Sequence, residues 1–196
     1  ARAEYIVRMD TDDIAIPDRI EKIYNFIIRH PDYDAVGSRV VEFSEGEQYG
    51  ILSKMGQKNS RSIMRGDIII HPSAIIRKSS IEKVSMYKNY KRAEDLVLWF
   101  EMLLAGSKLY VIDDILLQYR VSPGDYKKRK IQYRIDEIRA RILYYPQLGA
   151  NANDYLYILK SIASGIIPAV IVRKYRHSFV LAHINSHKSD VKKGSI

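Results

Sequence analysis

A short apolar segment that ends in three carboxylates constrains the fold of this chain more than any other feature. Tyr5 to Val7 is long enough for a strand, and Asp10, Asp12 and Asp13 follow within four positions of one another. Carboxylates at the C-terminal end of a buried strand lie where open α/β sheets bind ligands. Three such charges repel one another unless a cation or hydrogen-bond donors offset them. The segment therefore predicts a Mg²⁺ or Mn²⁺ site, and its alternative is an Asp-rich turn that caps a helix.

Helical and strand-like patterns follow one another from this segment to about residue 121. Glycine, proline and changes of apolar period mark their boundaries. The predicted elements are a helix from Pro17 to Arg29, a strand from Asp34 to Phe43, a loop over 44–62, a β-like run from Ile68 to Ile76 broken at His71-Pro72, a buried helix from Ala93 to Ala105, and two paired strands, Lys108–Ile112 and Ile115–Val121, joined at Asp113-Asp114.

Four polar residues outside the first segment are candidates for a site. Glu94 and Asp95 begin the buried helix, where acids either complement the helix dipole or supply a general base. His71 is a structural histidine or an active-site residue. Arg120, near the end of an apolar run, forms a structural salt bridge or holds phosphate through its paired donors.

The net charge of +9 is unevenly distributed along the chain. Residues 1–120 hold 18 basic and 18 acidic side chains, whereas residues 121–196 hold 14 and 5. A neutral body with a basic tail suggests that the body carries out the chemistry and the tail meets something anionic. The chain has no cysteine, which excludes disulfides, Cys-ligated zinc and thiol catalysis and is typical of a reducing compartment. We find no signal peptide and no apolar run long enough to cross a bilayer.

Two helices are predicted in the basic tail. The first runs from Tyr126 to Tyr145, with Ile131, Ile135, Ile138 and Ile142 on one face, and the second from Tyr155 to about Val172, with Asp154 as its cap. Residues 126–176 either lie on an anionic membrane surface or pack on the body. Nucleic acid is not expected as a partner, because no nucleic-acid-binding motif is present.

A series of motifs in a fixed order resembles the second half of the catalytic domain of family 2 glycosyltransferases, the inverting GT-A type. The resemblance covers roughly residues 3–121. The motifs are Asp10-Thr-Asp-Asp13 continuing to Arg19, Val36-Gly-Ser38, His71-Pro-Ser73, Ala93-Glu-Asp95 with Leu98-Trp99, and Leu116-Leu-Gln-Tyr-Arg120.

The resemblance implies roles for these residues. Asp10 and Asp12 match the Asp-x-Asp that holds Mn²⁺ or Mg²⁺ on the diphosphate of a nucleotide sugar, and Asp13 neighbours it. Asp95 matches the base that deprotonates the acceptor hydroxyl, with Glu94 in support. Arg120 lies where relatives organise the diphosphate.

The implied fold is an α/β, Rossmann-like GT-A domain over residues 1–121, followed by a helical tail over 122–196. Family members begin with a strand–helix–strand half that binds the nucleotide, and nothing here resembles it, so we expect a fragment of a longer protein. The implied activity is sugar transfer with inversion from a UDP-sugar to a glycan or lipid-linked glycan hydroxyl. Its expected place is the cytoplasm, on the inner face of the cell membrane, in cell-envelope polysaccharide or glycoconjugate synthesis. The alternatives are an inactive module that docks on a membrane or protein, and a metal-dependent nucleotidyltransferase.

Overall fold

The structure is a computed structural model that describes residues 2–44, 47–122 and 134–166. Strands and helices alternate along the body, and two helices follow it. The strands are β1 (Tyr5–Val7), β2 (Ile14–Ala15), β3 (Ala35–Ser44), β4 (Glu47–Leu52), β5 (Gly56–Lys58), β6 (Ile75–Arg77) and β7 (Leu109–Arg120). The helices are α1 (Arg19–Arg29), α2 (Ser60–Met64), α3 (Lys78–Lys83), α4 (Glu94–Leu104), α5 (Ile135–Tyr144) and α6 (Ala152–Ile166).

The described strands form one sheet in the order β1-β6-β3-β7-β2, with β4 paired to β3 and β5 paired to β7. Strand β3 is at its centre, and Ala35 to Ser38 are buried on both faces, as a continuous run of small and branched side chains predicts. Its pairing with β7 is parallel and its other pairings are antiparallel. The expected strand from Asp34 to Phe43 is thus confirmed.

The expected strand pair at 108–121 is wrong, because β7 is one continuous strand. It runs parallel to β3 from Leu109 to Arg120, and the register shifts beside Asp113 and Asp114. Both carboxylates are exposed there and accept from cations on neighbouring elements, Asp113 from Arg39 at 2.8 Å and Asp114 from Lys22 at 2.9 Å. A pair of aspartates typical of a turn is therefore an irregularity within a strand.

The loop expected over 44–62 is also wrong. Strand β4 folds back on β3, β5 pairs with β7, and α2 follows. Asn59 begins α2 with a capping box, in which its side chain accepts from the backbone N–H of Ser62. The Gly, Ser and Lys content of this stretch concealed both strands, and the partner of β5, strand β7, lies far away in sequence.

The two faces of the sheet carry separate hydrophobic cores. Adjacent strand residues point to opposite faces, so that Ala35 joins the larger core and Val36 the smaller one. Helix α1 covers the smaller core with Ile23 and Ile27, as its apolar spacing predicts. Helix α4 lies in the larger core, with Trp99 fully buried. Both helices match the expected ones to within two residues.

Gly37 allows a short turn to approach the sheet. The predicted β-like run over 68–76 contains a single 3-10 turn, His71–Ser73, before the three residues of β6. A Cβ on Gly37 would lie 2.4 Å from Ile69 Cγ2 and 2.9 Å from Ser73 Oγ. Gly37 thus allows the side chains of Ile69 and Ser73 to pack close to β3, and this packing brings His71 against the end of the sheet.

The tail helices differ from the expected ones in which faces they bury. Helix α5 exposes Ile135 and Ile142 and buries Ala140, Arg141 and Tyr144 against the body. Ile138 packs against the larger core, so that the predicted isoleucine face is partly packed on the body and partly exposed. Asn151 caps α6 and accepts from the Asp154 backbone N–H, whereas buried Asp154 accepts from Arg65 at 2.9 Å.

Part of the predicted tail lies outside the described residues. This holds for Tyr126 to Tyr133 of the first helix, for the second helix beyond Ile166, and hence for much of the expected membrane-facing segment 126–176. Among the helices that the structure describes, none is long and apolar enough to cross a membrane.

Candidate active site

The carboxylate segment leaves β1 and returns as β2, which pairs with the end of β7. Asp10 is half-buried and forms a 2.6 Å ion pair with Arg8, and Asp12 is exposed. Asp13 is buried, and its Oδ1 accepts from the backbone N–H of Arg120 at 2.9 Å. Two of the three carboxylates thus face solvent, and the third fixes the turn to the sheet.

The exposed side chain of Arg120 also contacts this turn. Its Nε donates to the Asp12 carbonyl oxygen at 2.8 Å, and its guanidinium lies 4.5 Å from the centre of the Phe43 ring. Burial raises the pKa of Asp13, an effect that the Arg120 N–H opposes. The sequence indicated Arg120 as a salt-bridge or phosphate residue, and the structure places it beside the predicted metal segment.

Arg19 links the carboxylate segment to the histidine turn, His71–Ser73. No role was predicted for this arginine from the sequence. It is buried, and its Nη2 donates to the carbonyl oxygens of Arg8 and Pro72, both at 2.7 Å. Its Nε and Nη1, like Asp13 Oδ2, have no hydrogen-bond partner within the described part of the chain. Because Arg19 lies in the first turn of α1, its position in the predicted helix concealed this role.

His71 lies between the carboxylate segment and the start of α4. Its Nε2 is 2.8 Å from the Tyr87 hydroxyl, and its ring meets Trp99 edge to face at 5.9 Å. Burial and the nearby Arg8 charge lower the pKa of His71 to about 4, so that it is neutral at physiological pH. Tyr87 was not predicted, since no pattern marks the irregular stretch around it.

Glu94 and Asp95 form the first turn of α4, as expected, and Ala93 rather than an acid stands at the N-cap. Asp95 Oδ1 accepts from the Leu96 backbone N–H at 2.7 Å. Burial raises the pKa of Asp95, and the charges of Glu137 and Asp10 add to the increase. Asp10 and Asp95, 85 positions apart in the sequence, are therefore electrostatic neighbours.

The donor set of this region fits a divalent ion that is completed by a ligand. No group of three or more His, Asp or Glu side chains able to hold a metal occurs in residues 2–44, 47–122 and 134–166. Asp10 and Asp12 still offer two hard carboxylates near solvent. Mg²⁺ is commonly held by one or two carboxylates plus substrate phosphates, so that a third protein ligand is not required.

Part of the chain is similar in sequence to a known family of proteins. Residues 1–85 match the sequence profile described as Glycosyl transferase family 2. A glycosyltransferase named EpsE from Bacillus subtilis (strain 168) is 27% identical over 187 residues, which are 92% of this chain and 66% of that protein. A UDP-Gal:alpha-D-GlcNAc-diphosphoundecaprenol beta-1,3-galactosyltransferase from Escherichia coli is 29% identical over 181 residues, 90% of this chain and 63% of that protein. The chain thus spans about two thirds of the length of these relatives.

Solved structures show the same fold. TarS from S. aureus superposes with a TM-score of 0.53. The mannosyltransferase PcManGT from Pyrobaculum calidifontis, solved with GDP-Man and Mn²⁺, superposes with a TM-score of 0.55. The identity is 14%, and the match covers 92% of this chain and 56% of that one. The α/β fold of the GT-A type, expected from the sequence, is therefore confirmed.

Proposed function

We propose that this chain, whose residues 1–85 match glycosyl transferase family 2, transfers a sugar from a nucleotide-diphospho-sugar to an acceptor hydroxyl, with inversion. One observation carries the proposal. Burial is the main cause that raises the pKa of Asp95, and the charge of Asp10 adds to it, so that the Asp10–Asp12 segment and Asp95 at the start of α4 lie near each other. A donor-binding carboxylate pair and a candidate base therefore share one region.

Asp10 and Asp12 are the proposed ligands of Mn²⁺ or Mg²⁺. When bound, the ion supplies Lewis-acid stabilisation of the departing diphosphate. Two hydrogen bonds keep this segment in place. The Arg120 side chain donates to the Asp12 carbonyl oxygen, and the Arg120 backbone N–H donates to the Asp13 carboxylate. We also assign the Arg120 guanidinium a contact with the nucleotide-sugar donor, as a cation beside the diphosphate. Asp13, whose side chain is buried, acts on the donor by fixing the turn.

Asp95 is the proposed base, with Glu94 beside it. A raised pKa brings a carboxylate closer to the pKa that suits proton transfer near neutral pH. A carboxylate that takes the acceptor proton while the oxygen attacks opposite the leaving group produces inversion in a single displacement. His71 is neutral, forms a hydrogen bond with Tyr87 and packs on Trp99. It thereby supports the structure between the Asp10–Asp12 segment and the Glu94–Asp95 pair.

A UDP-sugar is the proposed donor, and a glycan or lipid-linked glycan the proposed acceptor. The galactosyltransferase relative takes UDP-Gal and a diphosphoundecaprenol-linked sugar by its name, which supports both proposals. A role in cell-envelope polysaccharide or glycoconjugate synthesis at the inner membrane face agrees with this acceptor class and with the basic tail. We propose residues 1–121 as the catalytic part and 122–196 as the tail.

Calorimetric titration with UDP-sugars, with GDP-mannose in parallel, tests the donor site with and without Mn²⁺. We expect Asp12→Asn to abolish metal-dependent binding, whereas Asp114→Asn, an exposed carboxylate in the β7 irregularity, leaves it unchanged. Asp95→Asn is expected to retain donor binding and to lose transfer. Full transfer by both Asp12→Asn and Asp95→Asn would refute the assignment, and release of pyrophosphate in place of a nucleoside diphosphate would indicate nucleotidyl transfer.

A further inference from the structure

A cavity of about 490 Å³ that opens to solvent lies beside Asp95, and the tail helices form part of its wall. Its walls come from the turn after α2, from the N-terminus of α4, and from α5 and α6. Neither Asp10 nor Asp12 lines it. The cavity is therefore separate from the proposed donor segment, although Asp95 belongs to its wall.

The cavity is strongly cationic. Five basic side chains and two carboxylates, Asp95 and Glu137, line it; the basic ones are Arg65, Arg92, Arg134, Arg141 and Lys160. Buried Asp154, which pairs with Arg65 at 2.9 Å, adds one further negative charge behind the wall. Two positive charges remain in surplus even when Asp154 is counted. A concave wall of one charge sign concentrates anions of the opposite sign.

The cations divide into a fixed inner group and an exposed outer group. Buried Arg141 donates to Glu137 at 3.0 Å and to the Met64 carbonyl oxygen at 2.8 Å, so that it shapes the wall. Arg92 and Lys160 are exposed, from opposite sides of the cavity. Binding of an anion by these two residues would leave the buried network of Arg141 intact.

We propose that this cavity binds a phosphate or diphosphate group carried by the acceptor, with the acceptor hydroxyl directed to Asp95. The proposal rests on the proposed role of Asp95 as the base. Guanidinium groups match the oxygens of phosphate with paired donors, and a surplus of two charges matches the charge of a diphosphate linkage. The tail helices are then part of the acceptor site, because Arg134, Arg141 and Lys160 come from residues 134–160.

Isothermal titration of the full chain with inorganic pyrophosphate, without divalent cations, tests this site directly. We expect binding that weakens as salt increases and that falls roughly tenfold in the double variant Arg92→Gln/Lys160→Gln, since each lost charge-assisted contact is worth about a factor of ten or less. The matched control Arg139→Gln/Lys54→Gln removes two exposed cations outside the cavity, and it is expected to bind as the unsubstituted chain does.

The variant Asp12→Asn separates this proposal from the proposed function. It is expected to lose metal-dependent nucleotide-sugar binding and to keep metal-free pyrophosphate binding. Three results would each overturn the cavity proposal: no binding of pyrophosphate, an equal loss of binding in the control pair, and a loss of binding in Asp12→Asn. The donor site has its own test, which these results do not decide.

Competition then identifies the source of the phosphate. Displacement of pyrophosphate by octyl diphosphate supports a lipid-linked acceptor, and displacement by glycerol 1-phosphate supports a phosphate-bearing polymer. Failure of both compounds to compete would overturn the proposal, because neither a lipid diphosphate nor a polyol phosphate would then occupy the cavity.

Discussion

Replacement of Gly37 by alanine tests how the histidine turn is held against the sheet. The new Cβ would lie 2.4 Å from Ile69 Cγ2, about 1 Å inside the 3.5–4.0 Å optimum for two carbon atoms. Gly37 has no positive φ, so that alanine alone would gain about 0.4–1 kcal/mol through the unfolded state. Overpacking of a well-packed core costs about 1–3 kcal/mol. We expect the clash to prevail.

The net loss should be about 1–2 kcal/mol in the free energy of unfolding, or roughly 2–8 °C in Tm for a chain of this size. Urea denaturation followed by circular dichroism measures it. Ile69→Leu provides the control, because leucine lacks a β-branch and so removes Cγ2 while keeping the side-chain volume. In that background Gly37→Ala should cost clearly less. An unchanged or increased stability of Gly37→Ala alone would refute the reasoning.

Two further predictions concern titratable groups of the site. The folded pKa of Asp95 is raised by burial, so stability falls as pH rises from the unfolded pKa to the folded pKa, and the loss is complete above the folded pKa. Asp95→Asn keeps an acceptor for the Leu96 N–H, and its gain in the unfolding free energy should therefore grow as pH is raised from 3 to 8. A gain that shrinks over this range would contradict the reasoning. The pKa of His71 is lowered to about 4, so its stabilising effect is lost as pH falls from 6.5 towards 4. NMR titration should show its ring resonances constant between pH 8 and 6, and a midpoint near 6.5 would contradict this.

Local patterns were sufficient for elements that bury one face on a single neighbour. Helix α1 has isoleucines at helical spacing, and Gly106 follows α4 with φ +84°, a conformation that glycine adopts freely. The strand predicted from Asp34 to Phe43 likewise corresponds to β3. In these elements the spacing of side chains and the packing partner lead to the same structure.

The errors occurred where a distant partner decides the structure. Asp113 and Asp114 are typical of a turn, but β3 holds β7 on both sides of them and Arg39 and Lys22 pair with them. Strand β5 forms because β7 offers an edge over Leu109 to Val111. Neither partner is visible in the local sequence.

Part of the candidate site also could not be predicted from local sequence patterns. Asp10, Asp12, Asp95 and Arg120 were named from motifs, and their donor and catalytic roles stay predictions. Arginine is rarely buried, so that nothing in the sequence marks Arg141 as an interior residue, but Glu137, Met64 O and the Tyr145 hydroxyl accept from its guanidinium in the interior. The cationic cavity depends on such long-range contacts and has no sequence signature.

The bond from the Arg120 amide to Asp13 makes one hydrogen atom a reporter of the carboxylate turn. Amides at the end of a strand usually exchange rapidly with solvent because the ends open with little cost. This one is held by a side chain 107 positions earlier, so that its exchange requires the turn and the strand end to separate. Its protection factor therefore measures how often the carboxylate segment opens, and a donor that orders this segment should slow the exchange of the Arg120 amide more than that of its neighbours in β7.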